Sequence, residues 1–313
     1  MHILIPYAGA GGPRCSQALK SLELPHLRAL VQFWSAEAVS GLETSLTPLH
    51  ERLHAQAVGL PTGDGLIPWA ALQAQDLQLP QAHDTGWAWL TLCHWTINAD
   101  HVEMSDPRAL EVSTAESSAL MEAMRSFFAE DGIALYQGQG GQWLASGEVF
   151  RDLPTASLDR ASGAHVDGWM PRQPQAKPLR RLQNEMQMLL YTHPINDARA
   201  QQRKPSINSF WVSATGSLPQ QLPAQSVNFQ YIDTLQQPLR QDDASAWLAA
   251  WKDIDARVLP PLMAQRASAG ETSALTLCGT AQAVTYTRKP QNLWTRLTGR
   301  LRKPDLTALL TSL

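Results

Sequence analysis

One segment of the chain combines a helical stripe, a strand and a dense set of cationic and amide side chains: Pro178-Leu-Arg-Arg-Leu-Gln-Asn-Glu-Met-Gln-Met-Leu-Leu-Tyr-Thr-His-Pro-Ile-Asn-Asp-Ala-Arg199, followed by Asn208-Ser-Phe-Trp-Val-Ser-Ala-Thr-Gly216. Apolar residues at helical spacing predict a helix from about Leu179 to Tyr191. The run Ser209 to Ser213 predicts a strand. The segment therefore predicts a helix-to-strand transition with a His-Pro-x-Asn-x-x-Arg run between the two elements.

The residues before this segment predict a further helix, a hairpin and a central strand. Ser113-Thr-Ala-Glu116 has the form of a capping box, which opens a helix that extends to about Phe128. The runs Ile133 to Tyr136 and Trp143 to Ala145 flank a glycine-rich turn and predict a hairpin. Gly86 to Trp95 predicts a strand with two mostly apolar faces, as expected in the centre of a covered sheet.

The first residues predict the opening βα unit of a parallel sheet. Ile3-Leu-Ile5 predicts a buried strand that leads into the loop Gly9-Ala-Gly-Gly12, and Pro13 suits the first turn of a helix. The loop lacks the third glycine of the dinucleotide fingerprint because Arg14 stands there, so a tight turn is the favoured explanation. Ala274 to Cys278 predicts a late strand.

Composition narrows the class of protein. The chain has 313 residues, of which 44% are hydrophobic and 17% charged, so it can bury a sizeable core. A formal net charge of -3 gives no general attraction to nucleic acid. Cys15, Cys93 and Cys278 are odd in number and far apart, which favours a reducing compartment over a disulfide framework. The sequence shows neither a signal peptide nor a transmembrane run, so a cytoplasmic location is expected.

Six residues of the segment and its continuation are candidate ligands for a small anion. Arginine binds phosphate or carboxylate through paired hydrogen bonds, and each charge-assisted hydrogen bond contributes about 1.5–3 kcal/mol. Three such contacts would support a micromolar-to-millimolar ligand. The alternative is a solvated helix face whose arginines pair with Glu185 and Asp197. The candidates are Arg180, Arg181, His193, Asn196, Arg199 and Asn208.

Two groups of side chains are candidate metal ligands, because imidazole and carboxylate suit zinc or manganese. Neither group has the spacing of a dedicated metal motif, and polar core or surface histidines are the alternative. One group is the pair His50 and His54, at positions i and i+4. The other lies at the end of the predicted central strand and comprises His94, Asp100, His101 and, just beyond, Asp106.

The tail from Arg288 to Lys303 carries six basic residues, no acidic one and an apolar stripe. Such a tail most often forms a helix that packs on its own domain with its charges in solvent. The alternatives are a helix that lies on a membrane surface or binds an acidic protein partner.

Several of these blocks resemble known families. His193-Pro-Ile-Asn-Asp-Ala-Arg199, followed by Asn208-x-x-Trp211 and Gly216-x-x-Pro219, resembles the substrate-domain motif of archaeal-type cofactor-independent phosphoglycerate mutases, over about residues 110 to 220. Nearly the whole chain resembles the bacterial RpfE-type regulatory proteins more closely. The blocks that carry this second resemblance are Cys93-His-Trp with Asp100-His-Val, Gly147-Glu-Val-Phe-Arg-Asp-Leu-Pro-Thr-Ala-Ser-Leu-Asp-Arg160 and Pro178-Leu-Arg-Arg-Leu-Gln-Asn-Glu-Met-Gln-Met-Leu-Leu190.

The resemblance implies an alkaline-phosphatase-like α/β core with a mostly parallel sheet and an inserted α+β substrate-type subdomain. The implied core comprises residues 1–110 and 226–287. The implied inserted subdomain is 111–225, and the basic tail is 288–313.

The mutases use two metal ions and a serine nucleophile, and the resemblance implies metal ligands in an Asp-Gly after the first strand and in a late Asp-His pair. Here the first strand ends Ile5-Pro-Tyr-Ala-Gly9, and the late strand continues Cys278-Gly-Thr-Ala-Gln282, without a carboxylate at either place. The expectation is therefore a catalytically degenerate relative that needs no cofactor, binds a small phosphorylated or carboxylated metabolite and acts in regulation.

Two alternatives stay open at this point. The first is an active phosphoryl-transfer enzyme whose manganese or zinc is held at a rearranged site by His94, Asp100, His101 and Asp106. The second is a scaffold that binds protein partners through the basic tail and a tryptophan-rich surface.

Overall fold

The structure, a computed structural model, describes residues 1–222, 228–265, 273–288 and 304–313. Its strands are, in chain order, β1 (His2–Ile5), β2 (Ser35–Ser40), β3 (Trp87–Cys93), β4 (Trp95–Ile97), β5 (Val102–Met104), β6 (Ala134–Gln137), β7 (Gln142–Ser146), β8 (Ala164–His165), β9 (Ser209–Gly216), β10 (Phe229–Tyr231), β11 (Ala274–Cys278) and β12 (Gln282–Thr287).

The α-helices are α1 (Pro13–Ala18), α2 (Pro25–Phe33), α3 (Leu49–Val58), α4 (Trp69–Asp76), α5 (Thr114–Glu130), α6 (Leu158–Ala161), α7 (Lys177–Tyr191), α8 (Pro194–Gln201), α9 (Gln236–Arg240), α10 (Ala244–Asp253), α11 (Leu259–Ala264) and α12 (Leu306–Ser312). A π-helical turn at Ile254–Val258 joins α10 to α11. Within the described residues, every helix is too short or too polar to cross a bilayer.

The chain forms two compact units. The first comprises Met1–Thr44, Leu49–Val58 and Ala224–Leu313, and the second comprises Ser45–Pro48 and Gly59–Pro223. The boundary predicted at residue 110 falls inside the second unit, so residues 59–110 share a unit with the segment predicted as an insertion. Of the predicted basic tail, residues 289–303 lie outside the described residues.

The sheet of the first unit is mixed, whereas a mostly parallel sheet was expected. Its strand order is β10-β1-β11-β12-β2. β1 runs parallel to β10 and β11, but β12 is antiparallel to both β11 and β2. The turn 279–281 between β11 and β12 is too short for the crossover that parallel strands require, so these strands form a hairpin.

Both faces of β1 are buried. Ile3 and Ile5 belong to a large apolar core that includes Trp247 and Trp251 of α10. Leu4 points to the opposite face, where it belongs to a smaller cluster with Leu49 of α3. This alternation explains why β1 reads as a continuous apolar run, as in sheets covered on both sides.

The second unit contains two antiparallel sheets, of strand order β6-β7-β3-β9 and β4-β5-β8. The predicted central position of β3 is confirmed, since β3 pairs with β7 on one side and β9 on the other. Ala88, Leu90 and Leu92 face a core formed with α5 and α7. Cys93 belongs to a separate cluster that includes Trp211.

The local predictions in this unit are confirmed. The Ser113 hydroxyl accepts from the Glu116 N–H, and the Glu116 carboxylate accepts from the Ser113 N–H, so the capping box is complete at the start of α5. The predicted hairpin is β6–β7. The helix and the strand predicted within residues 178–216 are α7 and β9, and α8 lies between them.

Candidate functional site

The His-Pro-x-Asn-x-x-Arg run lies on α8, and its first polar side chains bind the protein's own backbone. His193 precedes α8, and its Nδ1 accepts a hydrogen bond from the Ile195 N–H at 3.2 Å. The Asn196 amide donates to the carbonyls of Leu190 and Ile207 at 2.9 and 2.8 Å, and its oxygen accepts from the Ile207 N–H at 2.8 Å. These bonds fix the α7–α8 turn and the chain that leads into β9.

Arg199 is buried, with a side-chain exposure of 1%. Its guanidinium donates to the carbonyls of Pro205 and Leu110 at 2.7 and 2.5 Å and to the Glu116 carboxylate at 2.8 Å. Partial burial alone would raise the pKa of Glu116, but hydrogen bonds from Ser113 and Arg199 outweigh it and lower that pKa. Arg199 thus joins α8 to the capped start of α5, and a ligand could reach it only if these contacts opened.

The two arginines of α7 also have protein partners. Arg180 donates to the carbonyl of Pro171 at 2.9 Å. Arg181, whose side chain is 48% exposed, donates to Asp131 at 2.6 Å and lies 3.8 Å from Glu185. The pairing of Arg181 with Glu185, weighed as the alternative to ligand binding, is therefore present. Of the predicted anion ligands on α7, Arg181 is the accessible one.

Asn208 extends the sheet pairing between β3 and β9. Its side-chain oxygen accepts from the Trp95 N–H at 2.7 Å, and its amide donates to the Trp95 carbonyl at 2.8 Å. Its own N–H donates to the Cys93 carbonyl. The six predicted anion ligands are thus distributed over α7, α8 and the start of β9, and each has a protein partner. Their ligand-binding role stays a prediction.

The predicted metal ligands of the β4–β5 hairpin do not converge. His94 precedes β4, with its Nδ1 2.9 Å from the Ser206 carbonyl oxygen. His101 lies at the far end of β4, about 10 Å along the strand, with its Nδ1 2.6 Å from Asp100. Asp106 caps the 3-10 turn that follows it. Within the described part of the chain, these residues form no group of three ligands. The hairpin separates residues that are close in sequence.

The glycine loop of the first unit lies against the half-buried carboxylate of Asp242. Asp242 accepts from the N–H groups of Arg14 and Cys15 at 3.0 and 2.9 Å, at the start of α1. A Cβ on Gly12 would lie 2.4 Å from the Asp242 carboxyl carbon, so only glycine allows this approach. The backbone amides that a phosphate would use are therefore bound to Asp242, which agrees with the tight-turn explanation.

The cysteines are poor nucleophiles and metal ligands, because both roles require the thiolate. Burial raises the pKa of Cys278 to about 12 and that of Cys93 well above its ordinary value. Burial, followed by the hydrogen bond with Asp242, raises the pKa of Cys15 to about 11. All three thiols stay protonated at neutral pH.

A polar and aromatic cluster that the sequence did not reveal lies at the carboxyl end of β1. Tyr7 adopts the left-handed backbone region, at φ 57°, which is strained for a residue with a bulky side chain. Its hydroxyl accepts from Gln236 and from Arg240, both at 3.2 Å. The Arg240 guanidinium also lies over the Tyr7 ring, 5.6 Å from its centroid. The His50 ring lies 5.2 Å from the Tyr7 ring and 6.4 Å from that of Tyr231.

His54, predicted to form a metal-binding pair with His50, is stacked on aromatic rings. Its ring centroid lies 5.0 Å from that of Phe229 and 4.7 Å from that of Tyr231, with interplanar angles of 18° and 20°. Burial, and then the nearby charge of His50, lower the pKa of His54 to about 4. His54 is therefore a neutral member of an aromatic stack at neutral pH.

This pKa predicts a stability loss in mild acid. The unfolded chain binds a proton at His54 below about pH 6.5, whereas the folded chain binds it only near pH 4, so stability falls as the pH drops between these values. After screening at a partly exposed ring, His54 should account for about 2 kcal/mol of that loss. Urea unfolding at pH 7 and pH 4.5 measures this loss. Between these pH values the free energy of unfolding of His54→Phe should fall by about 2 kcal/mol less than that of the parent. An unchanged pH dependence would refute the assignment, and exposed His83→Phe is the control.

No protein-family model matches the chain. A probable 2,3-bisphosphoglycerate-independent phosphoglycerate mutase of Geobacter sulfurreducens is 29% identical to it over 120 residues, which is 37% of this chain and 29% of the relative. The match thus spans less than a third of that relative. This similarity is a weak homology to cofactor-independent phosphoglycerate mutases.

Solved structures are also similar to the chain. The cofactor-independent phosphoglycerate mutase of Thermoplasma acidophilum has a TM-score of 0.39 and 14% identity, with 93% of this chain and 90% of that chain covered. A Pyrococcus horikoshii protein has a TM-score of 0.45 and 13% identity, with 91% and 86% covered.

Proposed function

We propose that this chain is a catalytically degenerate relative of the cofactor-independent phosphoglycerate mutases, which binds a small phosphorylated or carboxylated metabolite and acts in regulation. An alkaline-phosphatase-like core with an inserted substrate-type subdomain, and a role like that of the RpfE-type regulatory proteins, belong to the same proposal. Its support is the weak sequence homology together with the side-chain chemistry at the ends of the parallel strands.

The observation that carries the proposal is the set of side chains after β1, β10 and β11. Two-metal phosphoryl transfer requires ligands that hold both cations near the attacking and leaving oxygens. Residues 6–9 after β1 and 279–281 after β11 contain no carboxylate and no histidine. Among the described residues directly after these three strands, Asp233 supplies the only carboxylate, and it is exposed. The described residues directly after these strands therefore supply too few ligands for two metal ions.

The sheet edge at the carboxyl ends of these parallel strands carries a cationic side chain that could contact an anionic ligand. Ligands of open α/β sheets bind outside the carboxyl ends of parallel strands. Arg240 and Gln236 lie there, in contact with the strained Tyr7. A strained residue held by its neighbours is typical of a ligand-binding position. We assign the anion to this cluster, with Arg240 as its charged contact and Arg181 in the sequence-predicted segment as the second candidate.

The test measures binding and turnover of 3-phosphoglycerate on the same preparation. We expect saturable binding by titration calorimetry and no conversion to 2-phosphoglycerate, with or without added Mn²⁺ or Zn²⁺. Arg240→Met should weaken binding by about 10- to 100-fold, because a charge-assisted hydrogen bond contributes about 1.5–3 kcal/mol. Arg257→Met is the matched control, since it removes the same charge from an 80% exposed side chain in the same unit.

Each other outcome selects a different function. Rapid metal-dependent isomerisation would replace the proposal by the active-enzyme alternative. Loss of binding in Arg181→Met but not in Arg240→Met would move the anion to the segment on α7. If neither 3-phosphoglycerate nor inorganic phosphate binds, and proteins co-purify with the chain, the scaffold alternative is favoured.

A further inference from the structure

Three side chains with metal-binding groups share one face of the sheet β4-β5-β8: Glu103 and His165 are exposed, and His101 is half-buried. Along β5, Val102 and Met104 pack against a core cluster, so the alternating residues His101 and Glu103 point to the opposite face. The register pairs Glu103 with His165 of β8, which puts these two side chains next to each other on that face. The sheet therefore groups two imidazoles and a carboxylate that are far apart in sequence.

The two histidine rings are in contact. The ring centroids of His101 and His165 are 4.1 Å apart, with an interplanar angle of 54°. Metal–nitrogen bonds to zinc are about 2.0–2.1 Å long, so one ion can bind both rings once each ring has turned a nitrogen towards it.

Asp100 fixes the tautomer of His101. The Asp100 carboxylate lies 2.6 Å from Nδ1 and can only accept, so Nδ1 carries the proton. In the neutral ring Nε2 is then the acceptor, which agrees with the Asn98 amide lying 2.9 Å from it. A histidine that donates one N–H to a carboxylate while its other nitrogen offers a lone pair has the arrangement seen behind metal ligands.

We infer that His101 and His165 bind one Zn²⁺ ion, with Glu103 as the third protein ligand and Asp100 as the residue that orients His101. When the ion binds, His101 Nε2 gives up its contact with the Asn98 amide and coordinates the metal instead. As placed, His101, His165 and Glu103 do not bring three ligand atoms together, so the site requires Glu103 to turn towards the rings. Glu103 is exposed and can do so without breaking a core contact. Three protein ligands leave the fourth position of a tetrahedral ion to water.

This site differs from the one predicted from sequence. It retains Asp100 and His101 but replaces His94, which faces Ser206 at the other end of the hairpin, with His165. The site lies entirely within the second unit and does not depend on the anion site at the carboxyl end of β1. It can therefore be tested whether or not the proposed function is correct.

The experiment is titration calorimetry of ZnCl₂ into the chelator-treated full chain at neutral pH. We expect one ion per chain, bound in the micromolar range. His101→Ala and His165→Ala should each weaken binding by more than about 100-fold, because loss of even an orienting partner costs about 10- to 100-fold. Asp100→Asn removes only the orienting partner and should weaken Zn²⁺ binding by about 10- to 100-fold. His83→Ala, which removes an exposed histidine elsewhere in the same unit, should bind like the parent.

A spectroscopic readout separates this site from adventitious binding. Cu²⁺ added at one equivalent should show hyperfine coupling to two imidazole nitrogens in pulsed electron paramagnetic resonance, and to one in either alanine variant. The inference is overturned if the parent shows no saturable binding of Zn²⁺ below about 100 μM, a free energy near 5–6 kcal/mol. Equal affinities in His165→Ala and His83→Ala would also overturn it. Near-UV circular dichroism checks that each variant is folded.

Discussion

Replacing Arg199 with methionine should lower the free energy of unfolding by about 3–4 kcal/mol. Methionine retains the apolar stem but leaves the Leu110 and Pro205 carbonyls and the Glu116 carboxylate without their donor. Removing one partner of a buried ion pair costs about 3–5 kcal/mol, and each orphaned carbonyl about 1–3 kcal/mol. These costs are not additive because the three contacts share one guanidinium. The expected loss lies in the lower part of the ion-pair range, since Glu116 is 22% exposed and water can solvate it.

Arg181→Met is the matched control, since it removes the same group from the same cationic segment. Its side chain is 48% exposed, so breaking its pair with Asp131 should change stability by no more than about 1 kcal/mol. Urea denaturation at neutral pH measures both variants. If Arg199→Met is no less stable than Arg181→Met, the burial of Arg199 does not hold in solution, and a ligand-binding role becomes the better explanation.

Gly86→Ala should destabilise the fold at least as much as Arg199→Met does. We expect its free energy of unfolding to fall by at least about 3 kcal/mol. A Cβ at Gly86 would lie 2.2 Å from the Arg151 nitrogen, 2.6 Å from the Phe150 carbonyl carbon and 2.7 Å from the Arg151 Cα. These are backbone atoms, which no rotamer change can move. Overpacking a tight site costs about 1–3 kcal/mol and occasionally more, and here the start of β3 must separate from residues 150–151.

Gly168→Ala is the control for this glycine. A Cβ at Gly168 would meet nothing within 4 Å, so we expect a change within about 0.5 kcal/mol. Thermal and urea unfolding measure both variants. A Gly86→Ala variant with the stability of Gly168→Ala would show that the close backbone approach at β3 is absent in solution.

The parts of the fold that the sequence predicted are those specified by neighbouring residues. The capping box needs only Ser113 and Glu116, three positions apart, and the β6–β7 hairpin needs only a short glycine-rich turn. The first sheet is mixed because β12 pairs antiparallel with β11, across a short turn, and with the distant strand β2. The sequence predicted neither β12 nor β2 as a strand, so the mixed sheet was not predicted.

In the candidate sites, too, the sequence predicted local groups of residues but not the contacts between distant parts of the chain. The sequence showed a dense group of polar side chains around Arg199, but not that Glu116 on another helix would bind its guanidinium. Tyr7 gave no signal either, because its strain and its contacts with Gln236 and Arg240 arise only in the folded chain. His165 joins His101 through strand register, which no spacing in the sequence reports.

The pairing of β1 has a consequence for biosynthesis. A ribosome adds about 5–20 residues per second, so the first strand leaves the exit tunnel roughly ten seconds or more before its neighbours β10 and β11 have been translated. Throughout that interval the apolar side chains of Ile3, Leu4 and Ile5 lack the later residues that cover them in the folded chain. The nascent polypeptide therefore carries these apolar side chains without their sheet partners until most of the chain has been translated.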